Sequence, residues 1–306
     1  MNCDRCGGAD ATTLLKTGDR RYGLPGHFAV VRCRGCGLVR TDPGPEDVGA
    51  YYPDAQYYSF QPPGAPSART RRRVHSAYGQ AENGSRLPAL LSAVVRDRLM
   101  PGLPPGPPGD TLDVGCGSGA FLLALQEAGW RPHGVELSPS AVEAARAAGL
   151  TDVRTGDLIE AGYPSERFDA VRFWHSLEHM RSPRAQLVEA RRVLRRGGTL
   201  TIGVPNFSSL LARTARDRWY YLDVPRHLWH FEPATLGSLV ESSGFRVTRT
   251  RTVSGGTALL GTIDYLRGAR ERLVNSRPAW YAALPLGVLL DALGRGDGLE
   301  LTATAT

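Results

Sequence analysis

The stretch Asp113-Val114-Gly115-Cys116-Gly117-Ser118-Gly119-Ala120 decides the fold. A short apolar run, 111–115, leads into it, and a helical pattern over about 118–128 leaves it. Glycines between a strand and a helix let the backbone come close to a ligand where a side chain would block it. The spacing satisfies the dinucleotide fingerprint G-x-G-x-x-[GA], with Glu136 at a suitable distance for a ribose contact. That match alone does not choose between cofactors.

Outward from the loop, strand and helix patterns alternate. Strands are expected at 131–137, 153–155, 168–174 and 199–204, and helices at 139–148 and 183–194. Such alternation predicts an α/β fold, a Rossmann-like and mostly parallel sheet covered on both faces. Ligands bind such sheets at the carboxyl ends of the strands. A helix is expected over 233–243, a sixth strand over 245–253, and a last, antiparallel edge strand over 298–305. The partly apolar stretch 258–293 reads as a long helical segment that packs the core, covers a greasy acceptor or forms a dimer face.

The segment 110–256 resembles the class I SAM-dependent methyltransferases. It carries their motifs in order: the acid and glycine loop, "HGVELSP" (133–139), "TGDL" (155–158) and "EARRVLRRGGTLTIGVPN" (189–206). The resemblance implies S-adenosylmethionine as cofactor. It places Asp113, Gly115, Cys116, Gly117, Gly119 and Phe121 along the cofactor, and Glu136 and Leu137 at its ribose. Asp157 and Leu158 fall beside the adenine, and Trp174 and His175 at the lip of the site. A carboxylate can accept two hydrogen bonds from vicinal hydroxyls, and an acidic loop suits a sulfonium better than a pyrophosphate.

Methyl transfer needs alignment, and a base where the acceptor must lose a proton. Two clusters supply candidates. In "FWHSLEHM" (173–180), Glu178 and His179 resemble the Glu-His pair of small-molecule methyltransferases. The five letters HSLEH also fit H-x-x-E-H, the inverted zinc-protease signature. That motif needs both histidines on one helix face, whereas here a strand runs directly into it, so the match reads as chance. The second cluster, "WYYLDVPRHLWHF" (219–231), offers His227 as a base and Tyr220, Tyr221, Arg226 and His230 for the acceptor. The plainer reading of both is capping residues and satisfied buried histidines.

Two Pro- and Gly-rich breaks, 62–67 and 101–109, divide the chain. They suggest a module at 1–45, a linker with a helical segment at 46–109, and a methyltransferase domain at 110–306 with insertions at 206–232 and 257–297. The pairs Cys3/Cys6 and Cys33/Cys36 have the spacing of a four-thiolate, structural zinc site, with two disulfides or free thiols as the alternative. Zinc pairs followed by the tyrosine-rich "YYPDAQYYSF" (51–60) resemble methyltransferases of deoxysugar and antibiotic biosynthesis. This offers Tyr51, Tyr52, Tyr57 and Tyr58 as one wall of an acceptor site.

The net charge of +7 is almost all arginine, a compositional habit more than a nucleic-acid signature. The start of the chain lacks a secretory pattern, and its longest apolar run is too short to span a membrane. The expectation is a cytoplasmic enzyme that methylates a small molecule, with a homodimer allowed. An RNA methyltransferase gripping RNA through Arg20, Arg21, Arg32 and Arg34, and a non-catalytic SAM-binding module, are the alternatives.

Overall fold

The computed structural model describes residues 2–52, 74, 76, 77, 100–269 and 272–306. The chain begins with three antiparallel strands, β1 (Ala11–Thr17), β2 (Phe28–Cys33) and β3 (Val39–Asp42). The strand β1 was not anticipated: its residues are half-buried or exposed, so no alternation marks it. Of the expected helical stretch before residue 100, only residues 76, 77 and 100 are described.

From residue 110 the alternating segment follows. It runs β4 (Asp110–Val114), α1 (Ala120–Glu127), β5 (Arg131–Glu136), α2 (Pro139–Ala147), β6 (Val153–Thr155) and β7 (Phe168–Trp174). Helix α3 (Pro183–Val193) and strand β8 (Leu194–Pro205) complete it. Every residue of β4 is buried, as a central parallel strand covered on both faces requires. Helix α2 starts where proline tolerates the missing N–H, with the Ser138 hydroxyl accepting from the Ala141 amide.

The rest of the chain supplies α4 (Leu210–Ala215), β9 (Trp229–His230), α5 (Pro233–Glu241), β10 (Phe245–Val253), α6 (Gly256–Leu266), α7 (Arg277–Ala292) and β11 (Gly298–Ala305). The seven-stranded sheet has the order β10-β11-β8-β7-β4-β5-β6. Neighbours from β8 to β6 are parallel, and β11 is antiparallel to both β8 and β10. The last strand is antiparallel as expected, but it is not the edge: it slots between β8 and β10. Its Leu299, Leu301 and Ala303 are fully buried, whereas β10 carries exposed arginines and threonines, as suits an edge. The stretch expected as one helical segment is two helices, α6 and α7, the first capped at Arg267. No described helix is long and apolar enough to cross a membrane.

The ribbon sheet is completed by the later domain. Strand β9, from the segment after β8, pairs with β3 and gives the order β1-β2-β3-β9. Asp4, inside the first cysteine pair, accepts from the Ser182 hydroxyl and the Arg184 amide, both at 2.7 Å, and so caps α3. Arg32 makes a two-pronged bond to Glu232. Cys3, Cys33 and Leu38 share one apolar cluster with the central sheet.

Asp297, just before β11, is almost fully buried and accepts from the Ser209 hydroxyl at 3.0 Å and the Trp219 indole at 3.2 Å. Burial dominates these bonds and pushes its carboxyl up to about 6. The folded chain therefore holds a proton here that the unfolded chain releases near pH 4. Stability is lost as pH rises from about 4 through 6, by roughly 3 kcal/mol at about 1.4 kcal/mol per unit. Asp297→Asn keeps the accepting oxygen without the charge. It should raise stability by that order at pH 7.5 and change it little at pH 4, which urea unfolding at the two values would measure.

Candidate active site

The glycine loop sits at the carboxyl end of β4. Its Gly115 and Cys116 amides donate to the Val135 carbonyl, and the Ser176 hydroxyl donates to the Val114 carbonyl at 2.6 Å. Gly115 has φ +81°, and a Cβ there would lie 2.5 Å from the Cβ of Ser176. At Gly119, with φ +84°, an added Cβ would meet Leu150 at 2.3 Å. Only glycine fits either place.

Glu136, at the end of β5, accepts from the Gly117 amide (2.9 Å) and the Ser138 amide (3.0 Å), one on each oxygen. Two acceptor positions of the carboxylate remain. Leu137 beside it is 69% exposed. Asp113, by contrast, is turned beneath the loop. Both its oxygens accept from Arg172 at 2.9 Å, across the register that places Asp113 opposite Arg172. The Arg172 guanidinium in turn lies 3.7 Å from the centre of the Phe121 ring. Asp113 and Phe121 thus support the loop from below. The Cys116 sulfur leans on the Gly117 carbonyl at 3.6 Å, and burial pushes its thiol well above the usual range.

Two further expected cofactor contacts are engaged within the protein. The Leu158 side chain is in the core, and its amide donates to Gln186 Oε1. The same carboxamide donates to Asp157 Oδ2, while Asp157 Oδ1 accepts from the Glu160 amide. Trp174 packs between Gly102 and Gly203, where a Cβ on either would approach its ring to 2.5 and 2.4 Å. It is thereby a floor beneath the linker.

After β7 the backbone turns sharply. His175 takes φ +52°, and residues Leu177–His179 form one 3-10 turn in place of an α-helix. H-x-x-E-H therefore does not present its two histidines at i and i+4 of one α-helix. The turn buries Glu178 completely. The segment carrying His227 docks onto it: the Leu228 amide donates to the Glu178 carbonyl at 2.8 Å, and the Trp229 indole donates to the Met180 carbonyl.

The result is a buried carboxylate ringed by imidazoles. His175 Nδ1 is 3.4 Å and His227 Nε2 4.0 Å from Glu178 Oε1, and the His179 and His227 rings are 4.6 Å apart. Burial would raise the Glu178 carboxyl, but His175, His179 and His227 outweigh it and hold it down at about 2. Burial and the neighbouring His179 push His227 down to about 4, so its ring is neutral near pH 7. Its Nδ1 donates to the Tyr221 carbonyl at 2.9 Å, which leaves Nε2 with the free lone pair.

Tyr52 reaches the cluster, its hydroxyl 2.7 Å from His179 Nδ1, and the Tyr221 ring centre is 5.9 Å from that of His175. Tyr51 instead bonds the Pro25 carbonyl and packs edge-on to Phe28. Tyr57 and Tyr58 lie outside the described residues.

Three residues expected at the acceptor are engaged within the protein. Arg226 is fully buried, and its five N–H groups are consumed by Asp19, Asp223 and the Tyr51 carbonyl. His230 is buried against Phe207 and bonded to the Thr41 hydroxyl, and burial pushes it down to about 3. Tyr220 is buried and fills the space opposite Gly261, where a Cβ would lie 2.3 Å from its ring.

The four N-terminal thiols converge, all within 4.8 Å of one another. The Cys3–Cys36 and Cys6–Cys33 sulfurs are 3.4 and 3.5 Å apart, far beyond a disulfide bond and near the roughly 3.8 Å edge of a zinc–sulfur tetrahedron. The same turn is built twice: Gly7 donates to the Cys3 carbonyl, and Gly37 to the Cys33 carbonyl. The donor set fits zinc. Cys116 stands apart from it, in the glycine loop.

A parallel sheet in this order, with a glycine loop after its first strand, an acid at the end of the second and a titratable cluster at the end of the fourth, defines a class I methyltransferase. Residues 85–250 match the methyltransferase domain family, and the chain belongs to it. The chain thus carries a methyltransferase domain over these residues.

Among its relatives is a "Probable S-adenosylmethionine-dependent methyltransferase" of Mycolicibacterium smegmatis, 30% identical, covering 64% of this chain and 75% of that one. The 27-O-demethylrifamycin SV methyltransferase of Amycolatopsis mediterranei is 33% identical over 47% of this chain and 57% of its own. A solved S-adenosylmethionine-dependent methyltransferase from Mesorhizobium loti superposes with a TM-score of 0.47 at 19% identity, over 65% of this chain and 93% of its own. Coverage of the first relatives' own lengths ranges from 32% to 75%.

Proposed function

We propose that the chain transfers a methyl group from S-adenosylmethionine to a hydroxyl of a small-molecule acceptor in specialised metabolism. The observation that carries this reading is Glu178, a buried carboxylate among His175, His179 and His227, just beyond the strand beside the glycine loop. A thioether leaving group needs no protonation, so the chemical demand is to remove a proton from the acceptor and align it with the methyl. Neutral His227, with its free Nε2, is suited to take that proton, and the Glu178 charge stabilises the imidazolium that results.

The loop glycines 115–119 carry the cofactor backbone contacts, and Glu136 offers its two remaining acceptor positions to the ribose. Exposed Leu137 and the Asp157 turn flank the adenine. Tyr52 and Tyr221 border the acceptor. The relative named as a 27-O-demethylrifamycin SV methyltransferase supports a hydroxyl acceptor of this kind. The cysteine cluster holds a structural zinc, closed by four thiolates with no open position. It fixes the ribbon edge that receives β9 and hence the segment carrying His227.

RNA binding through the ribbon finds two of its four arginines drawn into partly buried pairs, while Arg20 and Arg34 stay exposed. Arg20 pairs with Asp217, Arg21 with Asp223, Arg32 with Glu232 and Arg34 with Asp10.

Purified protein incubated with SAM and fractionated bacterial metabolite extracts should release S-adenosylhomocysteine with at least one fraction rich in hydroxylated small molecules. Release only with RNA, or with no fraction at all, would reject the reading.

A further inference from the structure

Glu178 poses a problem that methyl transfer through a histidine base leaves unsolved. Its side chain is completely buried, yet among the described residues neither carboxylate oxygen has a hydrogen-bond partner. His175 Nδ1, at 3.4 Å, is the nearest imidazole nitrogen and is not aligned to donate. A buried carboxylate without hydrogen bonds costs several kcal/mol unless something of opposite charge compensates it.

Two imidazoles face the same point. One ring nitrogen of His179, one of His227 and one Glu178 oxygen all lie within 4.8 Å of one another. The other nitrogen of His227 is held by the Tyr221 carbonyl at 2.9 Å. His179 Nδ1 is held at 3.1 Å by the Arg226 carbonyl and at 2.7 Å by the Tyr52 hydroxyl. A carbonyl can only accept, so the Tyr221 contact fixes His227 with the proton on Nδ1 and the lone pair on Nε2. The Arg226 carbonyl asks the same of His179, with the Tyr52 hydroxyl turned as a second acceptor. Histidines that ligate metals have this outer arrangement, one nitrogen on the ion and the other on a carbonyl.

Of the two carbonyls, that of Arg226 belongs to a residue locked between Asp19 and Asp223. The Glu178 turn is itself tied down, its carbonyl accepting from the Leu228 amide. An isolated buried water could satisfy the carboxylate but would not require two histidines of this tautomer aimed at it.

We infer that Glu178, His179 and His227 form a second metal site, binding one divalent transition-metal ion that holds the oxygen of the acceptor hydroxyl. Two imidazoles and a carboxylate are three protein ligands, the set that catalytic zinc sites use while keeping a position open. The same set suits manganese, iron and cobalt, while the four-thiolate cluster selects softer ions. His175 and His179 are the half-exposed members of the cluster and give the entry side.

Once on the ion, the acceptor hydroxyl is more acidic and its proton leaves to solvent. The freed oxygen lone pair forms the bond to the methyl carbon, and the C–S bond pair passes to sulfur, leaving neutral S-adenosylhomocysteine. The inference rests on the proposed methyltransferase site and assigns its cluster a different means of removing the proton.

The test uses the full chain as purified. Metal content is measured by mass spectrometry, and Mn2+ uptake by the loss of its free-ion paramagnetic resonance signal, with SAM binding titrated on the same samples. The wild type should hold one divalent ion beyond that of the cysteines, as purified or taken up as Mn2+. Glu178→Gln and His227→Ala should weaken Mn2+ binding on the order of 100-fold. His179→Ala, at a half-exposed position, should do the same if either buried variant fails to fold.

A wild-type chain that binds SAM yet holds no ion beyond the cysteine site, as purified and at millimolar Mn2+, overturns the inference and leaves the methyltransferase reading intact. Uptake unchanged in Glu178→Gln or His179→Ala overturns it as well. Absent SAM binding counts against the methyltransferase reading alone, since ion uptake is read independently.

Discussion

Arg226→Met is expected to lower stability by about 3–5 kcal/mol. Arg226 is fully buried, and its guanidinium joins two carboxylates, Asp19 from the ribbon and Asp223 from the segment after β8. Methionine fills much of the volume but leaves Asp19 buried with only the Arg21, Tyr22 and Leu24 amides, and Asp223 with Arg21, 3.6 Å away, as its remaining cation. Removing one partner of such a group is far costlier than never having built it, because the desolvation of the survivors is no longer offset.

Lysine should rescue little. Its ammonium offers three donors, where five are used here in a planar fork between Asp19, Asp223 and the Tyr51 carbonyl. The triple change Asp19→Asn, Asp223→Asn, Arg226→Met should recover more than half of the loss, since it removes the uncompensated charges. Thermal and urea unfolding of the four proteins measure this. A loss under 1 kcal/mol in Arg226→Met would show that the charges have another partner.

The same residue shows how far the sequence could be read. In "WYYLDVPRHLWHF" the density of aromatic and charged residues suggested an acceptor pocket. His227 reaches the cluster, while Arg226, His230 and Tyr220 serve the scaffold. Neighbours on a chain without helical or strand period point in unrelated directions, and only the partner segments decide which face is solvent. Asp19, some 200 residues upstream, carries no local mark of its role.

The central sheet was legible because its signals are local. Strand–glycine–helix at 110–127, alternating apolar runs and prolines at helix starts each constrain a few residues. The position of β11 between β8 and β10 was not, because strand order is set by long-range pairing. Its buried Leu299 and Leu301 mark it as interior only in hindsight. Asp113 was legible in position but not in partner. Its counterpart Arg172 lies on the neighbouring strand, and cross-strand register is invisible without the sheet. Glu178 was singled out through its neighbour His179, but the tyrosine that meets that histidine, Tyr52, was one of four equal candidates. Nothing in "YYPDAQYYSF" separates the second tyrosine from the first.

Glu178→Gln is expected to slow methyl transfer by about 10²–10⁴-fold, the usual span for loss of assisted proton removal. Glutamine has nearly the same shape, so packing around the 3-10 turn is retained and the change isolates the charge. The glycine loop is braced by Glu136, Ser176 and the Val135 carbonyl, none of which involves the Glu178 side chain. SAM affinity should therefore stay within a few-fold, and single-turnover rates at saturating SAM are the measurement to make. A purely structural glutamate would lower both quantities, or lower the rate equally for every acceptor. A glutamate that serves proton removal makes a sharper demand: acceptor analogues with more acidic hydroxyls, already ionised at the assay pH, should lose far less. Two decades of rate correspond to about 2.7 kcal/mol, and most of that should disappear with such an analogue. A rate within threefold of wild type, or an equal loss for acidic and ordinary acceptors, would remove Glu178 from the chemistry.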